Sequence, residues 1–210
     1  SSDWKMPWGP MPLIEGLPKN PTFEMLKSLT AAAANYGCPM LWIEDNELDT
    51  SEIQSKLIFN ENELTKRYNE LAPKGEVDLV VIGCPQASVG EVRATAAAVR
   101  THMELGEKIQ NHRLWVFTSS HNYKTLEIDG TVNLLEEAGA LVLKDTCPEV
   151  TPYNRTKYNH LITNSLKAEH YLTSGLNNMP TSVAKIEECV AIAFDPFRIE
   201  GERPTLEEKS

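Results

Sequence analysis

The amino-acid sequence predicts an α/β fold of three layers, in which a mostly parallel sheet carries helices on both faces, as in doubly wound flavodoxin-like or Rossmann-like proteins. The prediction rests on two kinds of segment, which alternate along the chain. From residue 77 onward, short apolar runs of strand length alternate with segments in which apolar residues recur every three or four positions. This alternation indicates strand–helix–strand units, which parallel strands require because each connection must return to the starting end of the sheet.

Four strands are predicted in this region, because each run is almost continuously apolar, as in a sheet covered on both faces. Polar residues follow at once where each run stops. Cys84 comes shortly after the first run, Ser119 after the second, Cys147 after the third and Asn164 after the fourth. The predicted strands span residues 77–82, 113–118, 140–144 and 159–163.

Helices are predicted between and after these strands. The first has the clearest start, since Ser88 and Glu91 form the pattern of a capping box. Its apolar residues, from Val89 to Met103, recur on one face, which must pack against the sheet. The predicted helices span residues 88–104, 123–138, 165–174 and 181–194.

The first 76 residues lack this regular alternation. Residues 1–21 are rich in proline and are expected to form an extended arm or a linker. A helix is predicted to begin after Thr22, a good N-cap residue, and to end at Gly37. A strand at 40–43 and a helix at 61–71 complete the predicted elements.

Length and composition predict one globular domain, or one lobe of a larger protein: the chain has 210 residues, of which 41% are hydrophobic and 24% are charged. We expect the α/β domain to span residues 22–198 and residues 199–210 to form a flexible tail. The chain starts at Ser1 with no charged and then apolar leader, so no secretory signal is expected. Four widely spaced cysteines suit a reduced, cytoplasmic protein.

Charge and hydropathy exclude two classes of partner. The net charge is −10 and the pI is near 5.0. Proteins that bind nucleic-acid backbones normally carry a surplus of lysine and arginine, so a nucleic-acid partner is not expected. No stretch approaches the roughly 20 apolar residues that span a bilayer, so no membrane partner is expected either.

The polar residues that follow the strands are expected to form one site. In a right-handed series of strand–helix units, all parallel strands end at the same edge of the sheet, and open α/β sheets bind ligands there. The N-termini of the following helices lie at this edge as well, and they favour carboxylate or phosphate groups. A small anionic ligand is therefore predicted.

Two cysteines at this edge precede a proline: Cys84 and Cys147. Cysteine followed by proline is frequent around iron–sulfur clusters, but two thiols do not complete an ordinary four-cysteine site. Two other interpretations stay open. Free cysteine is among the most buried residue types, and Cys189 fits that structural role because it lies in an apolar helix. A cysteine at a strand end with a nearby histidine also suits a nucleophile.

Hydroxyl, imidazole and amide groups supply the candidate ligand contacts. Ser119, Ser120 and His121 follow the second strand, where they can bind a carboxylate, position a base, or only cap the next helix. Asn164, Ser165 and Lys167 open a later helix, where they can hold an anion or act only as a cap followed by a solvated lysine. Two loop cations are either anion clamps or solvated charges: Arg155 and Lys157.

Taken together and in order, these motifs resemble the large subunit of aconitase X. The likeness runs from about residue 10 to residue 193. It rests on four segments, each of which is weak alone: Gly83-Cys84-Pro85 after residues 78–82, residues 116–121, residues 145–147, and residues 163–171.

The resemblance implies an iron–sulfur dehydratase of the aconitase superfamily that acts on a small hydroxy acid such as cis-3-hydroxyproline or mevalonate 5-phosphate. In that family three cysteines hold the cluster, which would be 2Fe-2S or 4Fe-4S. Cys84 and Cys147 match two of them. The third is expected in an N-terminal lobe that this chain lacks, and a small swivelling domain or subunit is expected to close the site.

By position in the family-like motifs, the resemblance implies that six residues line or contact the substrate anion, and it identifies no base. The isolated chain is expected to bind no intact cluster and to be inactive. A competing hypothesis is a non-catalytic α/β domain that binds a small anion, and a thiol-dependent enzyme is a third. The six implied substrate residues are Ser119, Ser120, His121, Asn164, Ser165 and Lys167.

Overall fold

A computed structural model of the chain describes residues 11–44, 51, 53, 55–175 and 177–197. The chain forms two compact units, residues 1–59 and 60–210. The first ten residues of the predicted arm and the whole predicted tail at 199–210 lie outside the described residues. The predicted domain at 22–198 extends over both units, and its boundaries stay a prediction.

The first unit contains a helix and a two-stranded parallel sheet. Strand β1 (Leu13–Ile14) pairs with strand β2 (Trp42–Ile43), and helix α1 (Phe23–Asn35) connects them. Thr22 caps α1 as predicted, since its hydroxyl oxygen accepts a hydrogen bond from the Met25 N–H at 3.2 Å. The predicted strand at 40–43 is present in its last two residues.

The second unit contains a five-stranded sheet in the order β5-β4-β3-β6-β7, and every neighbouring pair is parallel. The chain starts in the middle, moves out to one edge, returns, and moves out to the other edge. The predicted parallel α/β fold is confirmed. The elements are α2 (Glu61–Leu71), β3 (Leu79–Ala87), α3 (Val89–Glu104), β4 (Leu114–Thr118), α4 (Ser120–Ile128), α5 (Thr131–Glu137), β5 (Leu141–Lys144), β6 (Leu161–Thr163), α6 (Leu166–Ser174), β7 (Thr181–Val183) and α7 (Ile186–Phe194).

Two apolar layers cover the two faces of this sheet. On one face, α3, α4, α5 and α7 pack against alternate strand residues such as Val80 and Ile82. On the other face, α6 and the segment before β6 cover Leu79, Val81 and Phe117. Alternation along β3 sends successive side chains into opposite layers, so this central strand joins both cores. Among the described residues, no helix is both long enough and apolar enough to cross a membrane.

Two of the predicted helices were wrong in extent. The helix predicted at 123–138 is split into α4 and α5, because Gly130 adopts a left-handed backbone (φ 81°) and interrupts the helical hydrogen bonds. The helix predicted at 181–194 begins only at Ile186. Residues Thr181–Val183 instead form β7, which pairs with β6. This pairing satisfies main-chain groups that β6 would otherwise leave open at the sheet edge.

Strand β3 continues beyond its predicted end at Ile82. Ile82 pairs with Val116, and Ala87 pairs with Thr118. Residues 83–86 of β3 therefore lie opposite the single residue Phe117 of β4. The surplus segment, residues 83–86, bulges out of the ladder. Gly83 makes this possible, because its φ is +109° and a Cβ there would overlap the main-chain carbonyl oxygen of Phe117.

Candidate functional site

The candidate site lies where the strand order reverses. Strands β3 and β6 are neighbours in the sheet, yet the chain leaves β3 toward one edge and leaves β6 toward the other. Open α/β sheets bind ligands at this switch point, in the crevice beyond the carboxyl ends of the two strands. Cys84 lies in the bulge of β3, and Asn164 and Ser165 directly follow β6.

Cys84 is held at this crevice by the start of α6. The Ser165 hydroxyl donates a hydrogen bond to the main-chain carbonyl of Cys84. The Ser165 hydroxyl oxygen also accepts a hydrogen bond from the Ala168 N–H at 3.1 Å, which makes Ser165 the N-cap of α6. Cys84 is only 6% exposed, and its thiol forms no disulfide.

Cys147 lies in the loop after β5 and is tied to the same bulge. The Gln86 side chain donates a hydrogen bond from its Nε2 to the main-chain carbonyl of Thr146 at 3.1 Å. Gln86 is two residues beyond Cys84, and Thr146 directly precedes Cys147. The two cysteine-bearing segments are therefore joined across the edge of the sheet, and Cys147 is half-buried with a free thiol.

Tyr153 lies close to both cysteines. Burial raises the pKa of its phenol, and electrostatic interactions with Cys147, Glu149 and Cys84 raise that pKa further. The Tyr153 hydroxyl donates to the carbonyl of Pro148 at 2.9 Å, which fixes the backbone next to Cys147. Its ring stacks on Trp115, with 5.9 Å between ring centroids. An aromatic wall thus supports the segment that carries the second thiol.

The serines after β4 are engaged with their own surroundings. Ser119 caps α4, since its hydroxyl oxygen accepts from the Asn122 N–H at 3.1 Å. Ser120 donates its N–H to Asp145 at 2.8 Å and its hydroxyl to the other oxygen of the same carboxylate. The Ser120 hydroxyl, followed by its N–H, lowers the pKa of Asp145. His121 has an exposed side chain at the start of the same helix.

Two oxygen atoms at the end of β6 are buried without a hydrogen-bond partner among the described residues. They are the Thr163 Oγ1 and the Asn164 Oδ1. Thr163 is fully buried, Asn164 is half-buried, and both directly precede the N-terminus of α6. A buried polar atom without a partner costs free energy, so this end of the crevice has unmet hydrogen-bonding capacity. Lys167, the second residue of α6, is half-buried.

The two loop cations have partners within the chain. Arg155 donates from Nη1 to the carbonyls of Asn177 and Asn178, at 2.9 and 3.1 Å, and so holds that turn. The Lys157 ammonium lies 5.0 Å from the centre of the Tyr158 ring. Arg155 therefore has a structural contact through one of its nitrogens, and the choice between an anion clamp and a solvated charge stays a prediction.

The residues present fit part of an iron–sulfur site. Cys84 and Cys147 form no disulfide, their segments are joined by a hydrogen bond, and thiolates are the usual ligands of such clusters. The unpartnered Thr163 and Asn164 oxygens fit an edge that receives a polar ligand. Within the described ranges, no group of three or more histidine, cysteine, aspartate or glutamate side chains is arranged to hold a metal ion.

Sequence reasoning missed three residues that organise this edge: Gln86, Asp145 and Tyr153. Asp145 belongs to a motif that was singled out, but its contact with Ser120 depends on how β4 and β5 pair. The sequence pointed to Gln86 and Tyr153 only through their position, since each lies within six residues of a candidate cysteine.

Comparisons with known proteins show the family of this chain. Residues 77–195 match the family model described as "Aconitase X third domain". The chain is 34% identical over 175 residues to the phosphomevalonate dehydratase large subunit of Methanocaldococcus jannaschii, covering 78% of this chain and 41% of that protein. It is 29% identical over 181 residues to the protein of the same description from Methanosarcina mazei, covering 83% and 42%.

A solved structure has the same fold. The crystal structure of Thermococcus kodakaraensis aconitase X in its holo-form superposes with a TM-score of 0.70 at 22% identity, covering 89% of this chain and 47% of that one. The chain spans about two fifths of the length of the curated relatives that it matches. Because the family model matches more than half of the chain, the chain belongs to the aconitase X family, and residues 77–195 correspond to the third domain of that family.

Proposed function

We propose that this chain is part of the large subunit of an aconitase X hydro-lyase that removes water from a small anionic hydroxy acid, and that the substrate is mevalonate 5-phosphate. The observation that supports the proposal is a hydrogen bond from Gln86 to the Thr146 carbonyl, which ties the bulge that carries Cys84 to the loop that carries Cys147 at the carboxyl edge of the sheet. The substrate assignment rests on the relatives described as phosphomevalonate dehydratase large subunits.

In this proposal Cys84 and Cys147 provide two of the ligands of an iron–sulfur cluster. When bound, the cluster supplies a Lewis-acidic iron that favours departure of a hydroxyl group. The protein's own residues orient the two thiols: Gln86 fixes the Cys147 segment against the bulge, and Tyr153 supports the backbone of Pro148. No group in the described residues is assigned as the base.

The start of α6 suits the anionic end of the substrate. Helix α6 has nine residues, so its first N–H groups and the partial positive charge of its N-terminus favour an anion. The fully buried Thr163 hydroxyl has no partner among the described residues and can donate to such a group. Asn164 and Lys167 flank the same turn, and we assign both to substrate binding. His121 and Ser119 line the crevice from the adjacent strand end.

A complete site needs more than this chain offers. We propose that a third thiolate comes from the remainder of the large subunit and that a small swivelling domain or subunit closes the crevice. This follows from the two thiols available here and from the two-fifths coverage of the relatives. The 210-residue chain alone is expected to bind no intact cluster and to have no dehydratase activity.

The test uses the complete large subunit, purified with its small partner and reconstituted anaerobically with iron and sulfide. We expect it to dehydrate mevalonate 5-phosphate, and we expect activity on cis-3-hydroxyproline to be lower by at least about tenfold, since a site that fits a phosphate leaves polar groups unpaired with a smaller acid. A complex that carries a full complement of iron yet dehydrates neither acid would overturn the proposal.

A second candidate function is supported by the unpartnered oxygens of Thr163 and Asn164. The Thr163 hydroxyl can donate to an anionic group, and the Asn164 Oδ1 can accept from a hydroxyl of the same ligand, so the pair suits a domain that binds a small hydroxy acid without chemistry. The two candidates differ in one measurement: a binding domain would take up mevalonate 5-phosphate or phosphate in calorimetry, and Cys84→Ser and Cys147→Ser would leave that affinity and the iron content of the complex unchanged.

A further inference from the structure

The Ser165 hydroxyl connects two structural features that are 81 residues apart in sequence. It donates to the Cys84 carbonyl and accepts from the Ala168 N–H. We propose that Ser165 is a positioning residue that fixes the Cys84 ligand segment and does not bind the substrate anion. This inference rests on the proposed function only where it assigns Cys84 as a ligand.

Hydrogen-bond capacity supports this role. A serine hydroxyl has one proton to donate, and its oxygen can accept two hydrogen bonds. A carboxylate or phosphate oxygen can only accept, so Ser165 could bind such a group only by releasing the Cys84 carbonyl. That carbonyl would then lose its hydrogen bond in a largely buried segment, which carries a free-energy cost.

The contact between Ser165 and Cys84 lies where the strand ladder is irregular. The pairing between β3 and β4 is interrupted between Ile82 and Ala87, and Cys84 falls within the interruption. Bulged residues lack their regular ladder partners. Ser165 supplies a hydrogen bond on the side of α6, and Gln86 supplies a second tie toward Thr146. The Cys84 segment is thus held by hydrogen bonds to the start of α6 and to the loop that carries Cys147.

Ser119 offers a matched control for the capping part of this role. Its hydroxyl oxygen accepts from the N–H three residues ahead at 3.1 Å, which is the distance found at Ser165. It caps α4 in a segment that contains no cysteine. A change in the alkylation rate of Cys84 that occurs in Ser165→Ala and not in Ser119→Ala therefore reports the contact with Cys84 and not the loss of a helix cap.

The decisive experiment measures the reactivity of the Cys84 thiol in the reduced 210-residue chain. Each variant is treated with iodoacetamide under native conditions, and alkylation of Cys84 is followed over time by peptide mass spectrometry. We expect Ser165→Ala to speed alkylation of Cys84 about three- to tenfold, because a typical hydrogen bond contributes about 0.5–1.5 kcal/mol to local closure. Ser165→Thr, which keeps the hydroxyl, is expected to restore the slow rate.

A further variant guards against global destabilisation. Glycine is nearly as good an N-cap as serine, so Ser165→Gly largely preserves the start of α6, although it removes both hydrogen bonds of the hydroxyl. We expect Cys84 alkylation in Ser165→Gly to be as fast as in Ser165→Ala, and we expect Ser119→Ala to leave it at the wild-type rate. Wild-type reactivity of Cys84 in both Ser165 variants would overturn the proposal.

The complete enzyme separates this role from substrate binding. In the reconstituted complex, we expect Ser165→Gly to lower bound iron and to leave the KM for mevalonate 5-phosphate within about twofold, because a positioning residue does not add to uniform binding. A raised KM with full iron content would assign Ser165 to the substrate instead. If the complex binds no iron at all, the proposed function fails, while the alkylation rates still decide the role of Ser165.

Discussion

The Ser165 hydroxyl donates a hydrogen bond to the main-chain carbonyl of Cys84, and this contact joins the start of helix α6 to the bulge of strand β3. The two residues lie on either side of the switch point between β3 and β6. The bulge that carries Cys84 and the N-terminus of α6 are therefore coupled by one side chain. We expect a substitution in the bulge to perturb the start of α6, and a substitution at the start of α6 to perturb the bulge.

The bulge depends on Gly83. We expect Gly83→Ala to lower the free energy of unfolding by about 2–4 kcal/mol, because alanine at φ +109° is strained and its Cβ would overlap the Phe117 carbonyl. Urea unfolding of the 210-residue chain, followed by circular dichroism, measures this loss.

Gly106→Ala is the matched control for that substitution. Gly106 also has a positive φ, of 80°, but an added Cβ there would meet nothing within 4 Å. Its cost is therefore limited to the backbone, about 1 kcal/mol. Equal losses in the two variants would show that the close approach to Phe117 has no energetic consequence.

The Asp145 carboxylate is predicted to titrate below its ordinary pKa of 3.8, because the Ser120 hydroxyl and N–H donate to it. Ser120→Ala removes the hydroxyl, so the pKa of Asp145 is expected to rise toward 3.8, whereas Ser119→Ala should leave it unchanged. Carboxyl titration by NMR measures both. A pKa of Asp145 that is the same in wild type and Ser120→Ala would contradict the contact.

Asp129, at the break between α4 and α5, gives a second pH-dependent signal. The hydroxyl of Thr131 and the guanidinium of Arg93 lower the pKa of Asp129 to about 2. A carboxylate with a depressed folded-state pKa stabilises the fold above its unfolded pKa, here 3.8, and this contribution disappears as the pH falls toward 2.

Thr131→Val tests this assignment, because it removes the hydroxyl and leaves Arg93 in place. We expect the pKa of Asp129 to rise part of the way back to its ordinary value, and acid unfolding to depend less on pH between about 4 and 2. NMR titration of the same carboxyl in Arg93→Met should give a smaller rise. A larger rise in Arg93→Met than in Thr131→Val would reverse the order of the two causes.

The four thiols are predicted to react in the order of their exposure. Cys189 is fully buried, and burial raises the pKa of its thiol, so it should be alkylated only after denaturation. Cys38 and Cys147 are half-buried and should react first, with Cys84 between these extremes. Alkylation of Cys189 as fast as that of Cys147 under native conditions would show that the core opens readily.

The fold followed from the sequence wherever local signals and the sheet agree. The capping box of Ser88 and Glu91 marked the start of α3, and the apolar runs marked every strand from β3 to β6. Strand β7 was missed because its three residues form a strand only through pairing with β6, which is a tertiary effect that no local pattern records. The break at Gly130 was missed because the apolar periodicity continues across it.

The candidate site was predictable in its location and not in its internal contacts. Strand-end residues must converge in a parallel sheet, so the proximity of the Cys84 and Cys147 segments followed from topology. Which way the hydroxyls of Ser120 and Ser165 point depends on side-chain rotamers and on the bulge of β3, and neither is encoded in residue spacing. The sequence therefore suggested two substrate contacts at positions where the structure has hydrogen bonds within the chain.

We propose that Cys84 and Cys147 together hold an iron–sulfur cluster in the complete enzyme. The most direct test is the iron and acid-labile sulfide content of the anaerobically reconstituted complex in four variants: Cys84→Ser, Cys147→Ser, Cys38→Ser and Cys189→Ser. We predict that the first two lose most of the iron and sulfide, while the last two keep the wild-type content. Full iron and sulfide in Cys84→Ser and Cys147→Ser would contradict the account.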